Sequence, residues 1–218
     1  MSDAPMTSVI VVRHGETQWN KVGRQQGHLD SPLTELGRKQ AHAIADALAD
    51  EPFDVLYSSN LGRALTTAQI IAERTGHDVV VDPALRERHL GVFQGLDWQQ
   101  IQQQYPAAYE AFQTGDPDYV IPDGESTRQR FNRTLAAIDR IVERHVGQRI
   151  VIVAHGGILN GLYRRTMAID LARPRDFKLF NASINRFAVS DGHPRKRWEI
   201  VRWADVDHLE NLGTIGDS

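Results

Sequence analysis

The sequence predicts a three-layer α/β/α sandwich, with a mostly parallel, mixed sheet of about six strands and a short inserted lid. Three observations carry this. Short β-branched runs alternate with amphipathic helical segments along the chain, which is the pattern of an α/β sheet covered by helices. The runs "SVIVVR" and "RIVIVA" are continuously apolar rather than alternating, as expected of strands buried on both faces. The last two runs flank a turn-like "SDGHPR", which predicts a hairpin and therefore a mixed sheet.

Taken in order, the first strand is Ser8 to Arg13. Thr34 supplies a side-chain cap for a helix reaching about Ala49, with Ala41, Ile44, Ala45 and Leu48 on one stripe. A strand over Asp54 to Ser58 leads into a helix from about Leu61 to Arg74, whose Ala64, Leu65, Ala68, Ile71 and Ala72 recur at helical spacing. "DVVVD", Asp78 to Asp82, is the third strand. The stretch "DWQQIQQQYPAAYEAFQTGDPDYVIPDGE" then breaks the pattern with Gln, Tyr, Pro and Gly, and reads as a lid of short helices and loop over about 97–125. A helix starting near Ser126 places Phe131, Leu135, Ile138 and Val142 on one face. The fourth strand is Arg149 to Ala154, followed by a helix from Gly156 to about Thr166. Asn185 to Ser190 and Arg197 to Trp203 complete the sheet. The expected organisation is one domain over residues 1–218 carrying the lid as an insertion.

Composition narrows the function. The 218 residues are 41% hydrophobic with a net charge of -3, which supports a sizeable core and gives no electrostatic footprint for nucleic acid or an anionic membrane. The basic cluster "HPRKRW" reads as a solvated turn. No cysteine is present, so disulfides, thiolate metal sites and a cysteine nucleophile are excluded. No run approaches the length of a signal-peptide core or a membrane span, and a cytoplasmic location is the expectation. The sequence leaves the oligomeric state open.

Two strands end on the same figure: Val12 leads into Arg13-His14-Gly15, and Val153 into Ala154-His155-Gly156. Ligands of open α/β sheets bind beyond the carboxyl ends of the strands. A helix starting at Gly156 aims backbone N–H groups and partial positive charge at an anion. Arg13 adds a cation beside His14, and Arg63, in the first turn after another strand, opens on the same rim. Two imidazoles, two guanidiniums and a helix N-terminus suit a phosphate. Nearby arginines disfavour the imidazolium, and a neutral imidazole attacks phosphorus to give a phosphohistidine. Glu87 in "LRERHLG" is a candidate acid for the leaving alkoxide, with Glu16 as a rival. Each residue also has a bland role: a strand-end cation for Arg13, an ion pair with Asp54 or Glu87 for Arg63, a salt bridge with Arg86 or Arg88 for Glu87, a turn cap for Asn20. Gln26 and Gly27 in "RQQGH" either line the substrate pocket or form a plain turn. His28, His42, His77, His89, His145, His193 and His208 read as structural.

"VRHGETQWN" closely resembles the motif of the histidine phosphatases, the phosphoglycerate mutase-like superfamily. "SSNLGRALTTAQII" resembles the family's second arginine motif, "LRERHLGVFQG" its acid motif and "VAHGG" its second histidine motif. The four occur in the family's order and span nearly the whole chain. The resemblance implies that His14 is the phosphorylated nucleophile. It implies that Arg13, Arg63 and His155 bind the transferring phosphoryl group with Asn20 reaching it, and that Glu87 is the proton donor and later the base for water. Neither a metal nor a cofactor is implied, and the implied partner is a small phosphorylated metabolite. Gln94 stands where many phosphatases have an acid, Leu90 where the mutases usually have Tyr and Gly157 where they tend to have Asn. Asp97 to Thr127 contains no Arg or Lys, so a small acid phosphate is expected to be held only at its phosphoryl end. The expectation is therefore a metal-independent phosphatase. The alternatives are a 2,3-bisphosphoglycerate-dependent phosphoglycerate mutase and, from another class, a catalytically weak phosphate-binding protein.

Overall fold

The computed structural model describes residues 6–190 and 196–212. Its sheet has six strands, β1 (Thr7–Arg13), β2 (Val55–Ser58), β3 (Val79–Val81), β4 (Arg149–Ala154), β5 (Ile184–Ser190) and β6 (Arg197–Asp205), in the order β3-β2-β4-β1-β5-β6. The first four are mutually parallel, while β5 runs antiparallel to β1 and β6 antiparallel to β5. The sheet is mixed, as the terminal hairpin predicted. The hairpin's turn, with His193 of the basic cluster, lies outside the described residues.

Strand pleating sorts the apolar runs into two cores. Val9 and Val11 of β1, with Ile150 and Ile152 of β4, face α6 (Thr127–Arg144) and α7 (Gly156–Thr166). Ile10 and Val12, with Val151 and Val153, face α2 (Glu35–Ala49) and α3 (Gly62–Thr75). Both faces of the central strands are therefore dry, which is why their sequences show no alternation. The helix boundaries fall where the side chains dictate. Thr34 accepts from the Gly37 N–H at the start of α2, Ser126 and Gln129 form a capping box on α6, and Gly76 takes φ 76° beyond α3.

The predicted lid region contains α4 (Trp98–Gln104) and α5 (Pro106–Gln113), then a loop to Ser126. It packs on a small core of its own, Phe93, Ile101 and Ile121, joined by Tyr109, Phe112 and Tyr119. Among the described residues, no helix is long and apolar enough to cross a membrane.

The connection after β1 is anchored to α2 and its N-cap through the backbone of Glu16. The Thr34 N–H donates to Glu16 O at 2.9 Å, and the Glu16 N–H donates to Gln40 Oε1 at 2.8 Å. Gly15 and Gly37 meet where neither has room for a side chain: a Cβ on Gly37 would overlap the Glu16 carbonyl. In an ordinary helix Gly→Ala is favourable by about 1 kcal/mol. Here the sign reverses, and Gly37→Ala should lower the thermal midpoint and push the segment bearing His14 out of place. Differential scanning calorimetry with a parallel activity assay checks both.

Candidate active site

β1 and β4 are adjacent and in register, with Arg13 opposite Ala154. The residues that follow, His14 and His155, therefore leave the sheet side by side, and the His14 N–H donates to Ala154 O at 3.1 Å. α2, the long helix downstream of β1, packs on one face of the sheet and α7, directly after β4, on the other. Such a divergence opens a crevice at the strand ends. The two imidazole centroids lie 5.3 Å apart at 62°. His14 is 3% and His155 1% exposed, so the rings form the floor of the site rather than its rim.

His14 Nδ1 donates to the carbonyl of Gly15 at 2.8 Å. A neutral ring so bonded carries its proton on Nδ1 and leaves Nε2 as a lone pair. Burial holds His14 well below its ordinary value, and the charges of Arg63 and then Arg13 push the same way. His155 is likewise lowered, by burial first and then by Arg63, His14 and Arg13. Its Nε2 is hydrogen-bonded to Ser59 Oγ at 2.9 Å, while its Nδ1 is buried without a protein partner.

Arg13 reaches the carbonyl of Leu179. Arg63 sits in the first turn of α3, buried, and donates to Gly27 O at 2.8 Å, Leu29 O at 2.9 Å and Asp30 Oδ1 at 3.1 Å. Its ion-pair partner is thus Asp30, not Asp54 or Glu87, and its Nε has no partner. Asn20 does cap a turn: its Oδ1 accepts from the Thr17 N–H at 3.1 Å in a capping box of the four-residue helix α1 (Gln18–Lys21). That bond fixes the amide, and Asn20 also lines the cavity. Gln26, Gly27 and Gly156 line it as well. Glu16, the rival acid, accepts from Thr34 Oγ1 at 2.7 Å and does not line the cavity.

Glu87 is buried against the start of α7. Its carboxylate accepts from the Gly157 N–H at 2.8 Å and from the Arg88 N–H at 2.7 Å. One of the helix donors expected to face the ligand is therefore occupied by the acid itself. Gly157 is required by this approach, because a Cβ there would overlap the Glu87 carboxylate. Burial alone would raise the Glu87 carboxyl, but Arg130, the two N–H donors and Arg63 outweigh it and hold it below the ordinary range. The carboxylate form is therefore favoured.

The cavity, about 600 Å³, is lined by His14, Arg13, Arg63, Glu87, Asn20, Gln26, Gly27 and Gly156. Leu90, Trp98 and Phe112 close it from the lid side. The cavity carries further cations beyond the phosphoryl-binding set the sequence singled out. Arg88 and Arg130, from the acid loop and from α6, also line the cavity. Neither belongs to the lid, whose sequence carries no Lys or Arg. Ser59, Asn181, Asp30 and His28 were missed too. Asn181 Nδ2 donates to His14 O at 3.2 Å and His28 Nε2 donates to Glu87 O at 2.8 Å, so both steady the central residues. Ser59 had a readable signal, standing just past the carboxyl end of β2. Arg130 had one as well, a charge four residues before Thr134 on the buried face of α6.

The family model described as the histidine phosphatase superfamily (branch 1) matches residues 9–206. The chain belongs to the histidine phosphatase superfamily. It is 44% identical over 98% of its length to phosphoglycerate mutase-like protein 4 of Arabidopsis thaliana, covering 91% of that protein. It is 41% identical, over 98% of its length and 87% of the relative's, to the metal-independent phosphoserine phosphatase of the same plant. Among solved structures, it superposes on a mycobacterial glucosyl-3-phosphoglycerate phosphatase, solved with VO3, at a TM-score of 0.81 and 34% identity, covering 91% of this chain and 99% of that one. The α/β fold is that of the superfamily, and these similarities support a phosphatase.

Because His14 and His155 are held neutral, the unfolded chain binds more protons than the folded one as pH falls below the ordinary histidine value of about 6.5. Stability should be fully present above that pH and decline below it, by up to about 1.4 kcal/mol per pH unit for each ring. Urea titrations between pH 7.5 and 5 measure this, and His14→Asn should flatten the slope. In a second test, Gly157→Ala should displace Glu87 and lower phosphatase turnover while leaving the fold intact by circular dichroism.

Proposed function

We propose that this histidine phosphatase hydrolyses small phosphomonoesters through a phosphohistidine on Nε2 of His14. The observation that carries the reading is the tautomer: the Gly15 carbonyl holds the proton on Nδ1, and burial, then Arg63 and Arg13, disfavour a second proton. An unprotonated ring nitrogen therefore stands ready in a cationic, buried site.

In the first half-reaction His14 Nε2 attacks phosphorus and the P–O bond to the organic group breaks. Glu87 gives its proton to the departing oxygen. In the second, Glu87 as carboxylate takes a proton from water, the water oxygen bonds to phosphorus, and the P–N bond breaks to release phosphate. Arg13, Arg63, Asn20, the Nδ1 side of His155 and the Gly156 end of α7 cradle the phosphoryl oxygens as charge shifts between them. A general acid contributes about 10²- to 10⁴-fold, against roughly 10²¹-fold for the whole acceleration of monoester hydrolysis. The preorganised cations supply most of the difference.

The surroundings of Glu87 favour its carboxylate, so the proton it donates has to arrive with the substrate. Ionised Glu87 meeting a phosphate monoanion is equivalent to protonated Glu87 meeting a dianion. For alkyl esters kcat/KM should then fall as pH rises past the second phosphate ionisation, near about 6. For p-nitrophenyl phosphate, whose leaving group needs no proton, that fall should be weak. A profile still climbing above pH 9 for alkyl esters would exclude the assignment.

The direct test is phosphate release from p-nitrophenyl phosphate in EDTA, with acid-labile, base-stable label trapped on the protein. His14→Ala should abolish both. Glu87→Gln should give a burst of about one p-nitrophenol per site followed by a slow phase, because its first step needs no acid and its second has lost its base. A coupled enolase assay with and without 2,3-bisphosphoglycerate measures any transfer to a second acceptor instead of water.

A further inference from the structure

We propose that Ser59 is a positioning residue for His155: its hydroxyl donates to Nε2 of the ring and keeps the ring's single proton on Nδ1, where it serves as a hydrogen-bond donor to a phosphoryl oxygen. The proposal deepens the hydrolytic reading and rests on it for the identity of that acceptor.

β2 and β4 are parallel neighbours with Ser58 opposite Val153, and the Ser59 N–H donates to Val153 O at 3.1 Å. Ser59 therefore leaves its strand alongside the chain that carries His155. It is fully buried. Its Oγ has two hydrogen-bond partners among the described residues: the Leu61 N–H, which donates to it at 3.3 Å, and His155 Nε2 at 2.9 Å. A backbone N–H can only donate, and a hydroxyl has one hydrogen to give. Of the two partners, only the ring nitrogen can receive it.

The reverse arrangement leaves more undone. With the proton on Nε2 and donated to Oγ, the serine hydrogen would be buried without an acceptor, and Nδ1, which has no protein partner, would be a bare lone pair. With Ser59 as the donor, the Nδ1–H alone is left over. Each unmade buried bond carries the desolvation cost of its group, so the arrangement with one is favoured over the arrangement with two. The group left over is also of the right kind, since an N–H attracts a phosphoryl oxygen and a lone pair repels it.

The two imidazoles lie 5.3 Å apart and both are buried, yet the reaction needs one as a nucleophile and the other as a donor. Burial and arginine charge keep both neutral, so charge does not tell them apart. Their partners do. The Gly15 carbonyl accepts from His14 Nδ1 and frees the Nε2 lone pair, whereas the Ser59 hydroxyl occupies His155 Nε2 and frees an Nδ1–H. One carbonyl and one hydroxyl give two like residues unlike tasks.

Nitrogen-15 correlation spectra of the ligand-free protein with labelled histidine read the tautomer of each ring, with signals assigned through His14→Asn and His155→Asn. The wild type should carry the His155 proton on Nδ1, and inorganic phosphate should move that proton's signal downfield. Ser59→Ala should shift the His155 proton to Nε2 and leave His14 unchanged. It should also weaken phosphate binding by calorimetry, and kcat/KM for p-nitrophenyl phosphate, by about ten- to a hundredfold, the scale of a hydrogen bond to a charged group. Ser59→Thr, which keeps a hydroxyl, should keep the Nδ1–H. A wild-type proton on Nε2 overturns the assignment, and this result needs no variant to fold. Slower turnover in Ser59→Ala with the proton still on Nδ1 marks a merely structural serine and overturns it as well, as does a moved proton with unchanged phosphate affinity. A wild type that shows the Nδ1–H and binds phosphate without hydrolysing p-nitrophenyl phosphate removes the phosphatase and leaves the task of Ser59 standing.

Discussion

The parallel pairing of β1 with β4 is the constraint on which the site depends. Arg13 stands opposite Ala154, and one residue later the chain leaves the sheet on both strands at once. A one-residue slip would turn a whole strand's side chains to the other face, and would move one imidazole relative to the other by a strand step. The slip is prevented because both faces of both strands are filled, by α2 and α3 below and α6 and α7 above. The geometry of the two imidazoles is a by-product of core packing: the rings are neighbours because Val9 to Val12 and Ile150 to Val153 have only one register in which they stay dry.

Around that fixed pair the protein arranges charge so that the two imidazoles, Glu87 and Arg63 all depart from their usual protonation behaviour. The imidazoles are buried beside cations and stay neutral. Glu87 is buried yet remains charged, because a helix N-terminus and Arg130 surround it. Arg63 keeps its charge through Asp30 despite burial. The pocket therefore gathers guanidinium charge around two neutral rings and a single carboxylate.

Much of this was legible in the chain. The four motifs place His14, Arg63, Glu87 and His155 at strand ends or just beyond them, and the apolar periods of Ala41 to Leu48 and Phe131 to Val142 mark the helices that cover the sheet. What could not be read is whatever depends on orientation across elements. Asp30 neutralises Arg63 from 33 residues away, and no local pattern announces it. Arg88 and Arg130 are separated by the entire lid and meet only because the acid loop folds against α6. Glu87 satisfying the Gly157 N–H was hidden for the same reason: the sequence shows a glycine after His-Gly, but not the carboxylate that requires it.

The lid encloses Phe93, Ile101 and Ile121 in a packing unit distinct from the two cores flanking the sheet. Its internal contacts are insulated from those that set the strand register. Side chains such as Leu90 and Trp98 can therefore be exchanged over evolutionary time without disturbing the two imidazoles. A scaffold divided in this way can diversify the molecules it accepts while inheriting its chemistry unchanged.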